Sequence, residues 1–258
     1  MSLDPAQWHA RYMEQARWTQ DLRRYVYDEA GLSAARRVLE VGCGTGALIA
    51  ELVDISQGTV YGLDISSRNI GYAQKLGLQA SFLLGDALDI PFSSQIFDIS
   101  LCHFLFLWVR DPARLLAEMV RVTRPGGVVL ALAEPDYGGR IDYPPELAIL
   151  GEWQLASLRQ QGAEPCMGRR LTRLFHEAGL ASIEVGVLGG QWKRKIGQAE
   201  IESEWKVVAD DLEVLFPPEK LETMHTQLET LRQLDKTACE NGNRILYVPT
   251  FYAKGIAL

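Results

Sequence analysis

The segment from Val38 to Gly46 combines the residue types that let a backbone approach a nucleotide-like ligand. It reads Val38-Leu39-Glu40-Val41-Gly42-Cys43-Gly44-Thr45-Gly46, and a helix-like run, Ala47 to Leu52, follows it. The aliphatic residues predict a buried strand, and three glycines spaced two apart predict a turn into the helix. A strand, a glycine turn and a helix admit a ligand close to the backbone, because glycine has no Cβ. The glycine spacing alone does not identify the ligand.

Acidic residues at the ends of the next two predicted strands narrow the choice of ligand. Residues Gly58 to Asp64 predict a second strand ending in an acid, and Ala80 to Asp86 predict a third. A pyrophosphate needs an open helix N-terminus and little negative charge nearby. The acids therefore favour a ligand that is not a dinucleotide.

Short buried strands alternate with helices along the first half of the chain, which predicts an α/β fold with a doubly wound parallel sheet. Right-handed crossovers place the carboxyl ends of all parallel strands on one edge, where ligands bind. Five polar residues are predicted at this edge: Glu40, Asp64, Asp86, His103 and Glu134.

The remaining segments are predicted to extend this core within a single domain that spans 1–258. Residues 1–31 are predicted to form a helical cover, with 5–30 helical throughout, and 35–190 the Rossmann-like core. Residues 191–243 are predicted to form a helical lid insertion, and 244–258 to contain the final strand, with Arg244 to Ala253 extended. A helix is also predicted from Tyr143 to Gln161.

The glycine segment, Asp64, Gly85-Asp86-Ala87 and Arg124-Pro125-Gly126-Gly127 together resemble the class I S-adenosylmethionine-dependent methyltransferases. The resemblance is strong over residues 35–135 and loose over 140–190, and is nearest to the small-molecule branch with the ubiquinone and menaquinone methylases. It implies a seven-stranded sheet of order 3-2-1-4-5-7-6, with the last strand antiparallel.

The resemblance implies S-adenosyl-L-methionine as the cofactor. Asp64 matches the acid that holds both ribose hydroxyls, and Ile65 would lie against the adenine. Asp86, with Ala87 beside it, matches the acid that accepts from the adenine amine. Arg17 is a candidate for binding the cofactor carboxylate. The full predicted cofactor-binding set is Tyr12, Arg17, Glu40, Gly42, Cys43, Gly44, Gly46, Asp64, Ile65, Asp86, Ala87 and His103.

The implied reaction is an in-line transfer of a methyl group to a small-molecule acceptor. Positioning is the main contribution of the protein to such a reaction, since a sulfonium methyl group is already activated. A general base is needed only when the acceptor must lose a proton. The segment Glu134 to Arg140 follows the fifth predicted strand, and the candidates for a base are His103, Asp136 and Tyr137.

Two alternatives stay open. The pattern Gly42-x-Gly44-x-x-Ala47, with Asp64 downstream, also satisfies the loose dinucleotide fingerprint of NAD(P)-dependent oxidoreductases. A methyltransferase-like protein that binds the cofactor without catalysis is the second alternative, because a fold does not fix a function. Amino-directed DNA methylation is disfavoured, because Cys102-His103-Phe104-Leu105 stands where those enzymes carry an Asn/Asp-Pro-Pro-aromatic motif.

Composition predicts a cytoplasmic protein that binds neither nucleic acid nor membranes. The net charge is −7 over 258 residues, and Lys193-Arg194-Lys195 is a short basic cluster. The longest apolar stretch, Ile96 to Val109, is shorter than the roughly 20 residues that span a bilayer. Four scattered cysteines predict no metal site and a reducing compartment. No secretory signal is recognisable, and a monomer or a homodimer is expected.

Overall fold

The computed structural model describes residues 4–187 and 198–258. The basic cluster at 193–195 and the start of the predicted lid lie outside the described residues. The helices are α1 Pro5–Trp18, α2 Gln20–Glu29, α3 Ile49–Ile55, α4 Ser67–Lys75, α5 Pro112–Val122, α6 Ala148–Gln160, α7 Leu171–Glu177, α8 Gln198–Leu215 and α9 Pro218–Glu240. The strands are β1 Arg37–Val41, β2 Thr59–Asp64, β3 Ala80–Leu84, β4 Phe97–His103, β5 Thr123–Pro135, β6 Ile141–Tyr143, β7 Ala181–Val187, β8 Ile245–Tyr247 and β9 Thr250–Ile256.

Seven strands form one sheet in the order β3-β2-β1-β4-β5-β9-β7. Strand β1 pairs in parallel with β2 and with β4, and β9 runs antiparallel to β7. Strands β6 and β8 form a separate two-stranded sheet. When only the seven strands of the large sheet are numbered in chain order, β7 becomes the sixth and β9 the seventh, and the spatial order is 3-2-1-4-5-7-6. The predicted α/β fold and its strand order are therefore confirmed.

Three predicted element boundaries were wrong. The helix predicted over 5–30 is interrupted at Thr19, whose backbone leaves the helical region at φ −109° and ψ 12°. The helix predicted from Tyr143 begins at Ala148, because two prolines follow Tyr143 and disfavour a helical conformation before them. The final strand, predicted from Arg244, begins at Thr250, since residues 245–247 pair with β6 instead.

The described residues form two compact units. The first contains residues 4–134, 167–187 and 250–258, and the second contains 135–166 and 198–249. The core of the first unit gathers aliphatic side chains of β1, β2, β4 and β5 with residues of α2 and α3. The second has its own core, built around Trp153 and Trp205 with leucines of α6, α8 and α9. The single domain with a lid at 191–243 stays a prediction.

Candidate functional site

The glycine segment forms a tight turn that bends back onto the end of β2. The amides of Gly42 and Cys43 both donate to the carbonyl oxygen of Leu63, at 2.7 and 2.9 Å. Gly42 and Gly44 have φ angles of 73° and 52°, in the left-handed region that side chains disfavour. The turn therefore depends on glycine at both positions.

Asp64 fastens this turn to the next helix. Its Oδ2 accepts from the Gly44 amide at 2.9 Å, and its Oδ1 accepts from the Ser66 amide at 2.8 Å. Asn69 Nδ2 also donates to Oδ1, at a longer distance of 3.4 Å. A carboxylate has about four lone-pair sites, so one stays open, and a second ligand donor would take the place of Asn69. The next residue, Ile65, is 72% exposed although it follows a buried strand. An oriented acceptor next to an exposed apolar surface suits a ribose joined to a flat base.

Asp86 lies just beyond β3, which neighbours β2 in the sheet. Its side chain is exposed, and its Oδ1 accepts from the Leu88 amide at 2.8 Å. Ala87 stands between these two residues. The structure thus brings Asp64, Ile65, Asp86 and Ala87 to the same edge of the sheet, as predicted from the positions of the strands.

Helix α1 covers the glycine turn, and Tyr12, whose binding to the cofactor stays a prediction, lies against Gly44. A Cβ placed on Gly44 would lie 3.1 Å from Cε2 of Tyr12. Burial and the nearby Asp64 raise the pKa of Tyr12, so its phenol stays neutral. Arg17 is exposed on the same helix, and its binding to a cofactor carboxylate stays a prediction.

His9 is a second contact of the cover that sequence reasoning missed. Its Nδ1 lies 3.0 Å from Oγ1 of Thr45, which belongs to the glycine segment. Its ring centroid is 5.2 Å from that of Tyr72 on α4. No local pattern singles out His9, because its partners come from later elements of the chain.

Glu40 is buried beneath the turn, with 3% of its surface exposed. Its Oε2 accepts no hydrogen bond from any described residue. Burial raises the pKa of Glu40 to about 8, and Arg23 opposes this while the Asp64 and Glu51 carboxylates reinforce it. A buried unpartnered oxygen is rare in a finished core and indicates a place for a polar or cationic partner.

Arg23, another residue that the sequence did not single out, connects the cover helices to the core. Its side chain is buried and binds Glu51 of α3 through two hydrogen bonds, of 2.9 and 2.6 Å. Its Nη1 donates to Oγ1 of Thr19 at 2.7 Å and to the carbonyl oxygen of Ala16. This guanidinium therefore fixes the junction of α1 and α2 against α3.

His103 is the last residue of β4 and contacts Thr19, which lies between α1 and α2. Its Nε2 lies 2.9 Å from Oγ1 of Thr19, and its ring is half-buried. Burial, together with the positive charge of Arg23, holds the pKa of His103 well below its usual value. The imidazole is therefore neutral near pH 7.

Glu134, predicted at the same edge, positions a loop. Its carboxylate accepts from the amides of Leu105, Phe106 and Leu107, at 2.9, 3.0 and 3.3 Å. Burial raises the pKa of Glu134 to about 7, against the opposing effect of these three bonds. A Cβ on Gly42 would lie 2.8 Å from Cδ1 of Leu105, so this loop packs directly on the glycine turn.

Asp136 and Tyr137, the other candidates for a base, belong to the second unit. Their amides donate to the carbonyl oxygens of Pro249 and Pro165, at 2.8 and 2.9 Å. A catalytic role for either residue stays a prediction. Within the described ranges, no group of three or more histidine, cysteine or acidic side chains is arranged to hold a metal ion.

Comparison with known proteins decides the family. Residues 39–131 match a family model described as a methyltransferase domain. A demethylmenaquinone methyltransferase from Geobacillus kaustophilus is 30% identical over 191 residues, which cover 66% of this chain and 79% of that protein. The chain belongs to the class I S-adenosylmethionine-dependent methyltransferases. Its relatives place it in the quinone-methylase-like branch of that family, as the sequence resemblance indicated.

Another relative matches a smaller part of this chain than the Geobacillus protein does. A demethylmenaquinone methyltransferase from Renibacterium salmoninarum is 35% identical over 122 residues, covering 46% of this chain and 51% of that protein. The chain thus spans about half the length of that relative.

A solved structure of phosphoethanolamine N-methyltransferase 2 from Haemonchus contortus, in complex with S-adenosyl-L-methionine, has a TM-score of 0.56 and 16% identity. The superposed region covers 93% of this chain and 52% of the Haemonchus contortus chain. At 16% identity, this similarity supports the fold alone. No described helix of the methyltransferase is long and apolar enough to cross a membrane.

Proposed function

We propose that this methyltransferase binds S-adenosyl-L-methionine and transfers its methyl group in line to a small-molecule acceptor. The observation that carries the proposal is the Asp64 carboxylate, which is held by the Gly44 and Ser66 amides beside the exposed Ile65. This arrangement provides an oriented anionic acceptor for two ribose hydroxyls and an apolar surface for the adenine.

The residues present fit this cofactor. Gly42 and Gly44 provide a backbone surface without Cβ atoms for the methionine portion, with Cys43 and Gly46 in the same turn. Asp86 and Ala87 would adjoin the adenine amine, and Tyr12 of α1 would cover the turn. The buried Glu40 carboxyl, with one oxygen unpartnered among the described residues, lies beneath it as a polar group.

The charge at this edge distinguishes the proposal from the oxidoreductase alternative. Asp64 and Asp86 are both acidic, and a dinucleotide would bring a pyrophosphate close to them. When bound, S-adenosyl-L-methionine supplies an activated methyl group on a sulfonium cation and brings no phosphate. Family membership favours the same choice.

The protein would act mainly by orientation and by exclusion of water. Holding two reactants in line contributes roughly 7–11 kcal/mol to the barrier reduction in well-oriented systems. Arg23, Glu134 and the cover helix all serve this end, because each fixes a segment around the glycine turn. A general base would add about 10²–10⁴-fold if the acceptor must be deprotonated, and Asp136 and Tyr137 are the candidates for that role outside the first unit.

The proposed acceptor is a small molecule, and demethylmenaquinone is the first compound to test, because three relatives are named as its methyltransferases. We expect no nucleic-acid partner, given the net charge of −7. All four cysteines are free, which supports a reducing compartment such as the cytoplasm. A monomer or a homodimer stays the expectation for the assembly.

Methyl transfer tests the proposal directly. The purified full chain is incubated with S-adenosyl-L-methionine and a panel of quinols, carboxylic acids and amines, and S-adenosylhomocysteine is measured by mass spectrometry. We expect product with at least one acceptor, its loss in Asp64→Asn, and its retention in Asp54→Asn, which changes an exposed acid of α3. Binding of the cofactor without product from any acceptor would instead favour the alternative without catalysis.

A further inference from the structure

His103 is linked to a buried cation through a single hydroxyl group. Arg23 Nη1 lies 2.7 Å from Thr19 Oγ1, and Thr19 Oγ1 lies 2.9 Å from His103 Nε2. The bidentate ion pair with Glu51 fixes the guanidinium in place. Thr19 is buried, so no bulk water competes for its hydroxyl group.

The direction of these hydrogen bonds follows from donor chemistry. An arginine side chain can only donate, so the Thr19 oxygen accepts from Arg23. The hydroxyl then has one proton to give, either to His103 Nε2 at 2.9 Å or to the carbonyl oxygen of Ala16 at 3.4 Å. The Ala16 carbonyl already accepts from Arg23 Nη1 at 2.5 Å, and the histidine contact is the shorter of the two. The proton is therefore directed to Nε2.

We infer that Arg23 and Thr19 hold His103 as the tautomer protonated at Nδ1, so that this histidine donates a hydrogen bond to a bound ligand and does not act as a general base. An imidazole that accepts at Nε2 while neutral carries its proton at Nδ1. Nδ1 bonds no described residue, and the ring is half-buried rather than enclosed. Thr19 and Arg23 are then positioning residues for the donor.

The ligand atom that suits this donor is an oxygen acceptor. Two sources carry one: the amino-acid carboxylate of the cofactor and an oxygen of the methyl acceptor. This part of the inference depends on the proposed function, whereas the tautomer can be measured on the protein without any ligand. The two can therefore fail independently.

Nitrogen NMR on the full chain with ¹⁵N-labelled histidine tests the tautomer at pH 7. The His103→Gln variant identifies the signals of His103 among the four histidines. We expect a pyrrole-type Nδ1 and a pyridine-type Nε2. A pyridine-type Nδ1 or an imidazolium would overturn the inference.

Variants of Thr19 test the positioning role. Thr19→Val removes the hydroxyl at nearly the same volume and is expected to abolish the preference for one tautomer. Thr19→Ser keeps the hydroxyl and is expected to retain that preference. An unchanged His103 spectrum in Thr19→Val, with the fold intact by circular dichroism, would also overturn the inference.

Calorimetry distinguishes the two ligand sources. S-adenosylhomocysteine carries the amino-acid portion and 5′-methylthioadenosine lacks it. If His103→Gln binds S-adenosylhomocysteine roughly three- to tenfold more weakly and 5′-methylthioadenosine equally well, the donor is assigned to the cofactor carboxylate. Unchanged binding of both, with a raised KM for the methyl acceptor, assigns it to the acceptor. An equal loss for both compounds contradicts the inference, because the nucleoside would then be the part affected.

Discussion

Glu40 and Asp64 are carboxylates at the ends of adjacent strands, and their surroundings give them different properties. Asp64 is half-buried and accepts hydrogen bonds from two backbone amides. Glu40 is buried, and one of its oxygens has no partner among the described residues. The same side-chain chemistry therefore gives an oriented, half-buried acceptor at one position and a buried carboxyl with a raised pKa at the other.

The buried position of Glu40 predicts a pH-dependent stability. Burial raises its pKa in the folded protein to about 8, above the usual value of 4.5. Between these values the folded state keeps a proton that the unfolded state loses, so the contribution of Glu40 to stability falls as pH rises. We expect Glu40→Gln to gain in free energy of unfolding relative to the wild type from pH 5 to 8, with a limiting slope of about 1.4 kcal/mol per pH unit.

Urea unfolding at several pH values measures this difference. Asp54→Asn, an exposed acid in the same unit, is the control and should follow the wild type. Parallel stability curves for Glu40→Gln and the wild type would show that Glu40 is ionised in the folded protein throughout this range.

For single residues, the sequence reveals a structural role more readily when the residue belongs to a local motif than when it acts through contacts distant in the chain. Asp64 was predictable because a strand and a glycine turn fix its position. Arg23 was not, because nothing local distinguishes it from Arg17 on the preceding helix. Its partners Glu51 and, through Thr19, His103 come from other elements, and Thr19 and His103 are 84 residues apart in the chain.

Among the elements of the fold, the glycine turn and the cover helix α1 pack against each other. The turn was predicted from the glycine spacing alone, since left-handed backbone favours glycine. Its contact with Tyr12 brings together residues 32 positions apart, and the helical pattern of residues 5–30 revealed neither this contact nor the break at Thr19. The hydroxyl of Thr19 is engaged by Arg23 and His103, which explains a break at a residue with no glycine or proline beside it.

Gly44→Ala tests the coupling of turn and cover. The added Cβ would lie 3.1 Å from Tyr12, so the ring must move, and the left-handed backbone adds strain of about 1–2 kcal/mol. We expect binding of S-adenosylhomocysteine to weaken by about tenfold or more, or 1.4 kcal/mol, in calorimetry. Gly77→Ala is the matched control, because its φ is 69° and nothing lies within 4 Å of the added carbon. Equal effects of the two substitutions on binding would disprove the role of the Tyr12 contact.

On the scale of the whole molecule, each unit has its own core, and the second unit also contains a buried network of charges. Arg244 binds Asp142 at 2.9 Å and Asp235 at 2.5 Å, and Arg140 binds Asp142 at 2.6 Å. Trp205 donates to Asp235 at 2.8 Å. These bonds join the segment 135–166 to the segment 198–249. The sequence analysis assigned the first segment to the Rossmann-like core and most of the second to the lid. It did not reveal that they pair, because ion pairs between distant arginines and aspartates leave no local sequence pattern.

Arg244→Met is expected to destabilise the second unit by about 3–5 kcal/mol, because it leaves buried carboxylates without their shared cation. Arg232→Met, which removes exposed pairs with Glu202 and Glu229, is the control and should change stability by about 1 kcal/mol or less. Denaturant unfolding is followed by tryptophan fluorescence, with Trp8, Trp18 and Trp108 of the first unit replaced by phenylalanine in every variant, so that Trp153 and Trp205 report on the second unit. A similar loss in both variants would show that the Arg244 network is no more important than a surface ion pair.

Calorimetric titration of the full chain with S-adenosyl-L-methionine, S-adenosylhomocysteine and NAD shows directly which cofactor the protein binds. We expect both adenosyl ligands to bind and NAD not to bind. Asp64→Asn should weaken the adenosyl ligands by at least about tenfold, since charge-assisted hydrogen bonds contribute roughly 1.5–3 kcal/mol each, and Asp54→Asn should bind as the wild type does. Binding of NAD in place of the adenosyl ligands, or equal binding by Asp64→Asn and the wild type, would contradict the assignment of the glycine turn and Asp64 as the cofactor site.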